Sequence, residues 1–290
     1  MYTDKQKDII GNTSYKEGRR RKRILRRSNR NQKYSDKVDI NIIQTNCDGY
    51  TSKKESFVDI IKERAPDILV IQETALKEKR KIKIKDYFSF CKNREKEKGV
   101  VGTVVANHLK DVTTKVAEGK DGDEYIITRL EHVVPAINIV NVYGHQESRE
   151  GKDQILASWI RLRKDLQEIE NRNEAIMIVG DLNRAVGADE WGIPGNKDNI
   201  SYGGELIRDI LKKEEYVLLN SLDIVEGGPW TWTQRGKLDV KSCFDLAIVS
   251  SCLVPFVESF IIDKDRKFTP RLVIKRKGKV ESIFTDHLEE

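Results

Sequence analysis

The sequence predicts an α+β fold in which two β-sheets pack together beneath covering helices. Three observations carry that expectation. Apolar runs of strand length recur along the chain, whereas only two or three stretches show helical periodicity. One run, Ile176-Met177-Ile178-Val179, is apolar on both faces of a strand and stops at Gly180-Asp181-Leu182-Asn183. A second run, Ile68 to Ile71, stops in the same way at Gln72-Glu73-Thr74. A buried strand that ends on acids and amides delivers them to a sheet edge, and Asp181 and Asn183, two apart, point to one side in extended backbone. The bland alternative is a strand followed by an Asx turn.

Charge divides the chain before any element is assigned. Residues 1–37 hold 13 Lys/Arg and 4 Asp/Glu, a net charge of +9; the whole chain carries +6, so the other 253 residues sum to −3. Arg19-Arg20-Arg21-Lys22-Arg23 is the densest basic run. So polar a segment cannot bury enough apolar surface to fold alone, and 1–37 is expected to be a disordered basic tail. It reads either as an arm for nucleic-acid phosphates or import, or as a solvated tail or upstream sequence translated from another context. No apolar run approaches the roughly 20 residues that span a bilayer, and the N-terminus lacks the apolar core of a secretory signal. The four cysteines, Cys47, Cys91, Cys243 and Cys252, are scattered and form no C-x-x-C pair. They argue against zinc and against a disulfide framework. The expected location is nuclear or cytoplasmic, not secreted.

Taken in order, one domain is expected over 38–290. Val38 to Ile43 reads as a first strand running into Gln44-Thr45-Asn46. Phe57, Ile60 and Ile61 share a helical face across 52–64, which Ala65-Pro66 ends. Strands are expected at 67–71, 87–90, 99–106, 125–130 and 137–142, the last ending at Tyr143-Gly144. Ile155, Trp159, Leu162, Leu166 and Ile169 form the stripe of an amphipathic helix over 152–171. After the strand at 176–179 come a Gly- and Asn-rich loop (185–204), a short helix (205–213) and a strand (216–220). Trp230 and Trp232 follow a Gly-Gly-Pro turn, Asp245 lies on a strand at 243–249, and further strands are expected at 256–262 and 272–274. The chain closes on Thr285-Asp286-His287-Leu288-Glu289-Glu290.

The polar residues at strand ends are Asn46, Glu73, Tyr143, Asp181, Asn183, Asp245, Asp286 and His287. If those ends converge, they form a site of hard oxygen donors with one imidazole, suited to Mg²⁺ or Mn²⁺ rather than zinc. Such a site polarises a phosphoryl oxygen and activates water. A carboxylate beside an imidazole fixes its tautomer and stabilises its protonated form. His108, His132 and His145 are read as structural or surface residues.

These pieces, in order and together with Gln44-Thr45-Asn46, Gly49 and Lys54, resemble the endonuclease/exonuclease/phosphatase superfamily. They are most similar to the apurinic-type endonuclease domain of non-LTR retrotransposons. The resemblance covers the chain after the tail. It implies a four-layer α/β sandwich of the DNase I-like kind, two packed mixed sheets flanked by helices. It implies a Mg²⁺-dependent phosphodiesterase, with Mn²⁺ as the alternative ion. Glu73, Asn46 and Asp286 would hold the metal. Asp181 would position or deprotonate water, Asn183 would bind the phosphate and Asp181, and Tyr143 would stabilise developing charge. Asp245 would orient His287, and His287 would bind the phosphate. The implied partner is DNA, with no small-molecule cofactor and no membrane, and with a reverse-transcriptase region in a longer native protein. The basic run Arg19 to Arg23 would contact nucleic acid, and Trp230 and Trp232 would either wedge into or stack on bases or belong to the hydrophobic core. Only three residues follow His287, where the family pattern has a closing strand. The resemblance therefore leaves open a piece of a longer frame or a degenerate copy. Two competing readings stand beside nicking: a phosphatase or lipid phosphodiesterase of the same superfamily, and an inactive nucleic-acid-binding remnant.

Overall fold

A computed structural model describes residues 39–284 except 78–79, 93–100, 121, 132, 134, 190–191, 194–199, 214, 234–240, 264–270 and 277–278. The expected basic tail, Asp286 and His287 lie outside these residues. β1 (Ile42–Asn46), α1 (Lys54–Arg64), β2 (Ile68–Gln72), β3 (Tyr87–Lys92) and β4 (Val101–Ala106) make the first half. Their strands form a four-stranded sheet in the order β1-β2-β4-β3, with β1 parallel to β2 and the rest antiparallel.

The second half contributes β5 (Thr113–Glu118), β6 (Glu124–Leu130), β7 (Ile137–Tyr143), α2 (Lys152–Glu170), β8 (Ala175–Asp181), α3 (Tyr202–Leu211) and β9 (Tyr216–Leu218). After them come β10 (Val225–Glu226), β11 (Trp232–Thr233), β12 (Lys241–Ser242), β13 (Asp245–Ser250), β14 (Phe260–Ile261), β15 (Arg271–Arg276) and β16 (Lys279–Phe284). A six-stranded sheet runs β5-β6-β7-β8-β13-β9; only β7 and β8 are parallel in it.

Alternation along the strands builds the layers. On β2, Leu69 and Ile71 pack outward with Phe57 and Ile60 of α1, while Ile68 and Val70 face the other sheet. On β8, Ile176 and Ile178 pack outward with Leu162 and Leu166 of α2 and Ile207 of α3, while Val179 faces inward. The result is helix, sheet, sheet, helix, the four-layer arrangement expected. Because side chains alternate with a period of two, a one-residue slip of either strand would turn its whole apolar set to the wrong layer.

Several boundaries differ from the sequence reading. β1 begins at Ile42 rather than 38 and carries Gln44, Thr45 and Asn46 within the sheet, since Ile42 pairs with Ile68 and Asn46 with Gln72. Hydropathy places those polar residues beyond the strand, but the side-chain amides of Gln44 and Asn46 are paired by other side chains of the site. α3 starts at Tyr202, three residues before the expected Glu205. Ser201 caps it by accepting from the Gly204 amide, and a Cβ at Gly203 would lie 1.8 Å from the Arg184 side chain. The glycines there are a packing requirement, not loop punctuation. β5 was not anticipated: it is a sheet edge whose residues, apart from Thr113, are largely exposed, so no burial pattern marks it. The expected strand 256–262 shrinks to Phe260–Ile261 because residues 251–256 wind into a 3₁₀ turn holding Pro255. The expected 272–274 becomes the hairpin β15-β16.

Gly180 sits where β8 meets the end of β7. Its φ is +151° and a Cβ there would lie 2.0 Å from the Val142 carbonyl oxygen. Gly180→Ala is expected to lower stability by at least about 2 kcal/mol, read as a lower urea midpoint with an unchanged slope.

Candidate active site

Strand register gathers the polar residues. Asn46 ends β1 and Glu73 directly follows β2, its parallel neighbour. Tyr143 ends β7 opposite Asp181, the last residue of β8. Asp245 opens the antiparallel β13 and also pairs with Asp181. Four parallel strand ends and one antiparallel strand start thus open on one edge of the two packed sheets.

Hydrogen bonds tie them into a cluster. The Asn46 side-chain amide donates to Glu73 Oε1 at 2.7 Å and to Asp181 Oδ2 at 2.9 Å. Two carboxylates from opposite sheets therefore share one nitrogen. Asp181 is fully buried, and its other oxygen accepts from the Asn183 backbone N–H at 3.1 Å. The Asn183 side chain donates to the Gly144 carbonyl at 2.9 Å, fixing the turn after Tyr143. Burial, then the charges of Glu73 and Asp181, push the Tyr143 phenol far above its ordinary value of 10.0. The phenol is therefore neutral and hydrogen-bonds Glu73. Glu73 and Asn183 both hold positive φ, +50° and +51°. For glutamate that conformation is strained, a feature that concentrates at functional sites.

Of the residues singled out in the sequence, Asn46, Glu73, Tyr143, Asp181, Asn183 and Asp245 are brought together. Asp286, His287 and Arg19 to Arg23 fall outside the described residues. Trp230 and Trp232 are half-buried. Trp232 packs on Phe244, ring centroids 5.6 Å apart, in the short β11-β12 ribbon beside Asp245.

The structure adds residues that sequence reasoning passed over. Thr231, between the two tryptophans, accepts at Oγ1 from the backbone amides of Phe244 and Asp245, both at 3.1 Å, and so sets the start of β13. Lys53, not Lys54, is the buried lysine of the first loop, 2% exposed. Its ammonium donates to the carbonyls of Cys47 and Asp48, clamping the turn behind Asn46. Burial lowers its pKa, against the pull of Asp48. Glu124 is buried opposite Tyr143 on β6. Arg184, 7% exposed, donates to the carbonyls of Asn183 and His145 from behind the site. Each is a single polar side chain in a turn or at a strand start, which gives no periodic signal that could have marked it. His145 is structural as expected, held between Asp123 and Glu150. Burial would raise the Asp123 carboxyl, but the bidentate Arg161 and hydrogen bonds from His145 and Ser158 hold it well below the usual range. The thiols of Cys47 and Cys243, beside Asn46 and Asp245, are pushed up to about 12 by burial and are inert as nucleophiles.

A family model described as endonuclease/exonuclease/phosphatase matches residues 43–287. The chain belongs to that family. Its members hydrolyse phosphoester bonds and typically use divalent metal ions. No curated protein sequence matches it significantly. Among solved structures, this family member is similar to the AP endonuclease LMAP from Leishmania major. The TM-score is 0.59 and the identity 16%, over 75% of this chain and 80% of that one. It is also similar to the 3′ phosphatase NExo from Neisseria bound to a product DNA hairpin (0.56, 17%, 75% and 89%). A third likeness is to the endonuclease domain of TRAS1, a telomere-specific non-LTR retrotransposon (0.53, 15%, 75% and 88%). At these identities the likeness is one of fold.

The donor set fits a small hard cation. Glu73 is half-exposed at the edge beside the Tyr143 phenol, and the Asn46 amide, whose nitrogen faces Glu73 and whose oxygen accepts from the Asp48 N–H, would turn that oxygen to reach a cation. Among the described residues no three His, Cys, Asp or Glu side chains cluster as a full metal shell. Mg²⁺ needs only one or two protein carboxylates and keeps its waters, so that set is sufficient for it and poor for zinc.

The Tyr143 phenol also carries a stability consequence. A phenol whose folded pKa is raised keeps its proton when the unfolded chain has lost it, so stability falls as pH rises above about 10. The protein is expected to lose stability between pH 10 and 11 relative to Tyr143→Phe, read as the difference in denaturant midpoints.

Proposed function

We propose that the protein is a Mg²⁺-dependent DNA-nicking endonuclease of the retrotransposon kind. The observation that carries this reading is the Asn46 bridge, which holds the carboxylates of Glu73 and Asp181 together at a sheet edge beside a neutral phenol. Glu73, with Asn46 and Asp286, would hold the cation; Mn²⁺ suits the same donors. The bound ion would polarise a phosphoryl oxygen and offset the charge that builds on it.

The remaining work falls to the chain. Asp181 is buried, and each of its oxygens takes a fixed N–H, so the carboxylate is oriented to hold or deprotonate the attacking water. The second N–H of the Asn183 side chain, beyond the one on Gly144, and the protonated Tyr143, once its O–H turns from Glu73, would donate to a phosphate, the arrangement that stabilises developing negative charge. Asp245 would orient His287, and His287 would take phosphate charge.

DNA is favoured over smaller phosphoesters by three features. The tail from Arg19 to Arg23 is a polyanion-binding arm by charge, Trp230 and Trp232 flank the segment that sets Asp245, and a structural neighbour was seen with a DNA hairpin.

Purified protein is expected to nick supercoiled plasmid with Mg²⁺ and to stop with chelator. Glu73→Ala, Asp181→Asn and His287→Ala are each expected to lower the rate by about 100-fold or more. Release of phosphate from DNA 3′ ends or phosphoinositides without any nicking would overturn this reading in favour of a phosphatase. DNA binding by folded protein with no turnover would overturn it in favour of a remnant.

A further inference from the structure

Behind Asp245, three side-chain amides cross between the two sheets in an unbroken line. Asn141 of β7 and Gln72 of β2 are fully buried, and Gln44 of β1 is half-buried. The Asn141 amide donates to the backbone carbonyls of Gly102 at 3.0 Å and Ile71 at 3.3 Å. Its own oxygen accepts from Gln72 Nε2 at 2.7 Å. The Gln72 oxygen accepts from Gln44 Nε2 at 2.7 Å, and that same nitrogen donates to Asp245 Oδ1 at 2.7 Å.

The direction of this line is forced. A carboxamide has nearly the same shape when its oxygen and nitrogen are exchanged, so its orientation comes only from its partners. Backbone carbonyls can only accept. Ile71 and Gly102 therefore require the Asn141 nitrogen to face them, which turns the Asn141 oxygen to Gln72. That in turn turns the Gln72 oxygen to Gln44, and the Gln44 nitrogen to Asp245. Reversing either of the fully buried amides, Gln72 or Asn141, would set donor against donor and acceptor against acceptor where no water reaches, at the cost of unsatisfied buried groups.

We infer that Asn141, Gln72 and Gln44 form a positioning relay that fixes an N–H on Asp245 Oδ1, leaving the rest of that carboxylate free to orient the group it serves. The relay rests on the role given to Asp245 above. It also answers a local problem. Asp245 and Asp181 are direct antiparallel partners, and like charges so placed repel. Gln44 holds the first by one oxygen, while Asn46 and the Asn183 amide hold the second.

Two measurements test it. The first is independent of turnover. In ¹⁵N spectra of the folded protein, Asp245→Asn is expected to move the side-chain amide signals of Gln44, Gln72 and Asn141 together, although Asn141 lies two residues along the line from Gln44. Movement of Gln44 alone, or of none, would overturn the relay. The second is kinetic, with plasmid nicking as readout. Gln44→Met and Gln72→Met are each expected to lower kcat about tenfold with KM within twofold. In combination with Asp245→Asn the losses should not multiply, because all act through one carboxylate. Multiplicative losses would overturn the relay, and Gln44→Met, at the half-buried end, serves if Gln72→Met does not fold. Coupled amide shifts in a protein that nicks nothing would uphold the relay and overturn the proposed nicking activity.

Discussion

Two carboxylates from different sheets meet on one nitrogen of Asn46, and the rest of the site depends on that meeting. Glu73 belongs to the four-stranded sheet and Asp181 to the six-stranded one. Left unbridged, two carboxylates brought this close at one edge would repel. Asn46 offers each a donor and so keeps both as acceptors. For the bridge to form, the sheets must pack in one relative position, which is set by Ile68, Val70, Val105, Ile139 and Val179 between them. The chemistry at the edge is thus fixed by apolar packing several residues away.

The strand ends reach this geometry under local strain that other residues offset. Glu73 turns into left-handed backbone immediately after β2, and Asn183 does so two residues past β8. Lys53 holds the first loop through two carbonyls, and Arg184 holds the second through two more. Both cations are nearly fully buried, where burial weakens their hold on a proton. A buried cation is costly unless its donors are used, and here they are used on the backbone of the turns that carry the polar side chains. Close approaches add to this. Gly144 lies where a Cβ would be 2.0 Å from the Leu182 carbonyl, so the turns after β7 and β8 pack backbone against backbone.

Much of this was legible in the sequence, for a physical reason. Strands buried on both faces must be apolar throughout, so Ile68 to Ile71 and Ile176 to Val179 announce themselves, and the first acid after each, Glu73 and Asp181, lies at the strand's end. Helix α2 announced itself through Ile155, Leu162, Leu166 and Ile169, all buried as the stripe requires. What stayed hidden was polar structure satisfied by other polar structure. Gln44, Thr45 and Asn46 look like a loop because their hydropathy is that of a loop. Only the partners supplied by β2, β8 and β13 make them strand. The pairing of Gln72 with Asn141 is hidden for the same reason: each amide closes or interrupts an apolar run, and its partner is far away in sequence. Lys53 gives no signal because adjacent lysines differ only in which way the 3₁₀ turn at Thr51–Lys53 faces them.

The same distinction separates the fold from the activity. Fold depends on summed apolar burial and tolerates errors of a residue or two at element ends. The site depends on single hydrogen bonds whose loss changes chemistry without changing architecture. A chain could therefore keep all four layers while losing the Asn46 bridge or the N–H on Asp245, and it would remain in this family by shape alone. In this chain those bonds are present. Asp181 has both oxygens held, Asp245 is held through Gln44, and the Tyr143 phenol is kept protonated against Glu73. Strained backbone at Glu73 and a like-charged pair at Asp181 and Asp245 each cost stability, and such features concentrate at working sites. They favour an active hydrolase over an inactive scaffold.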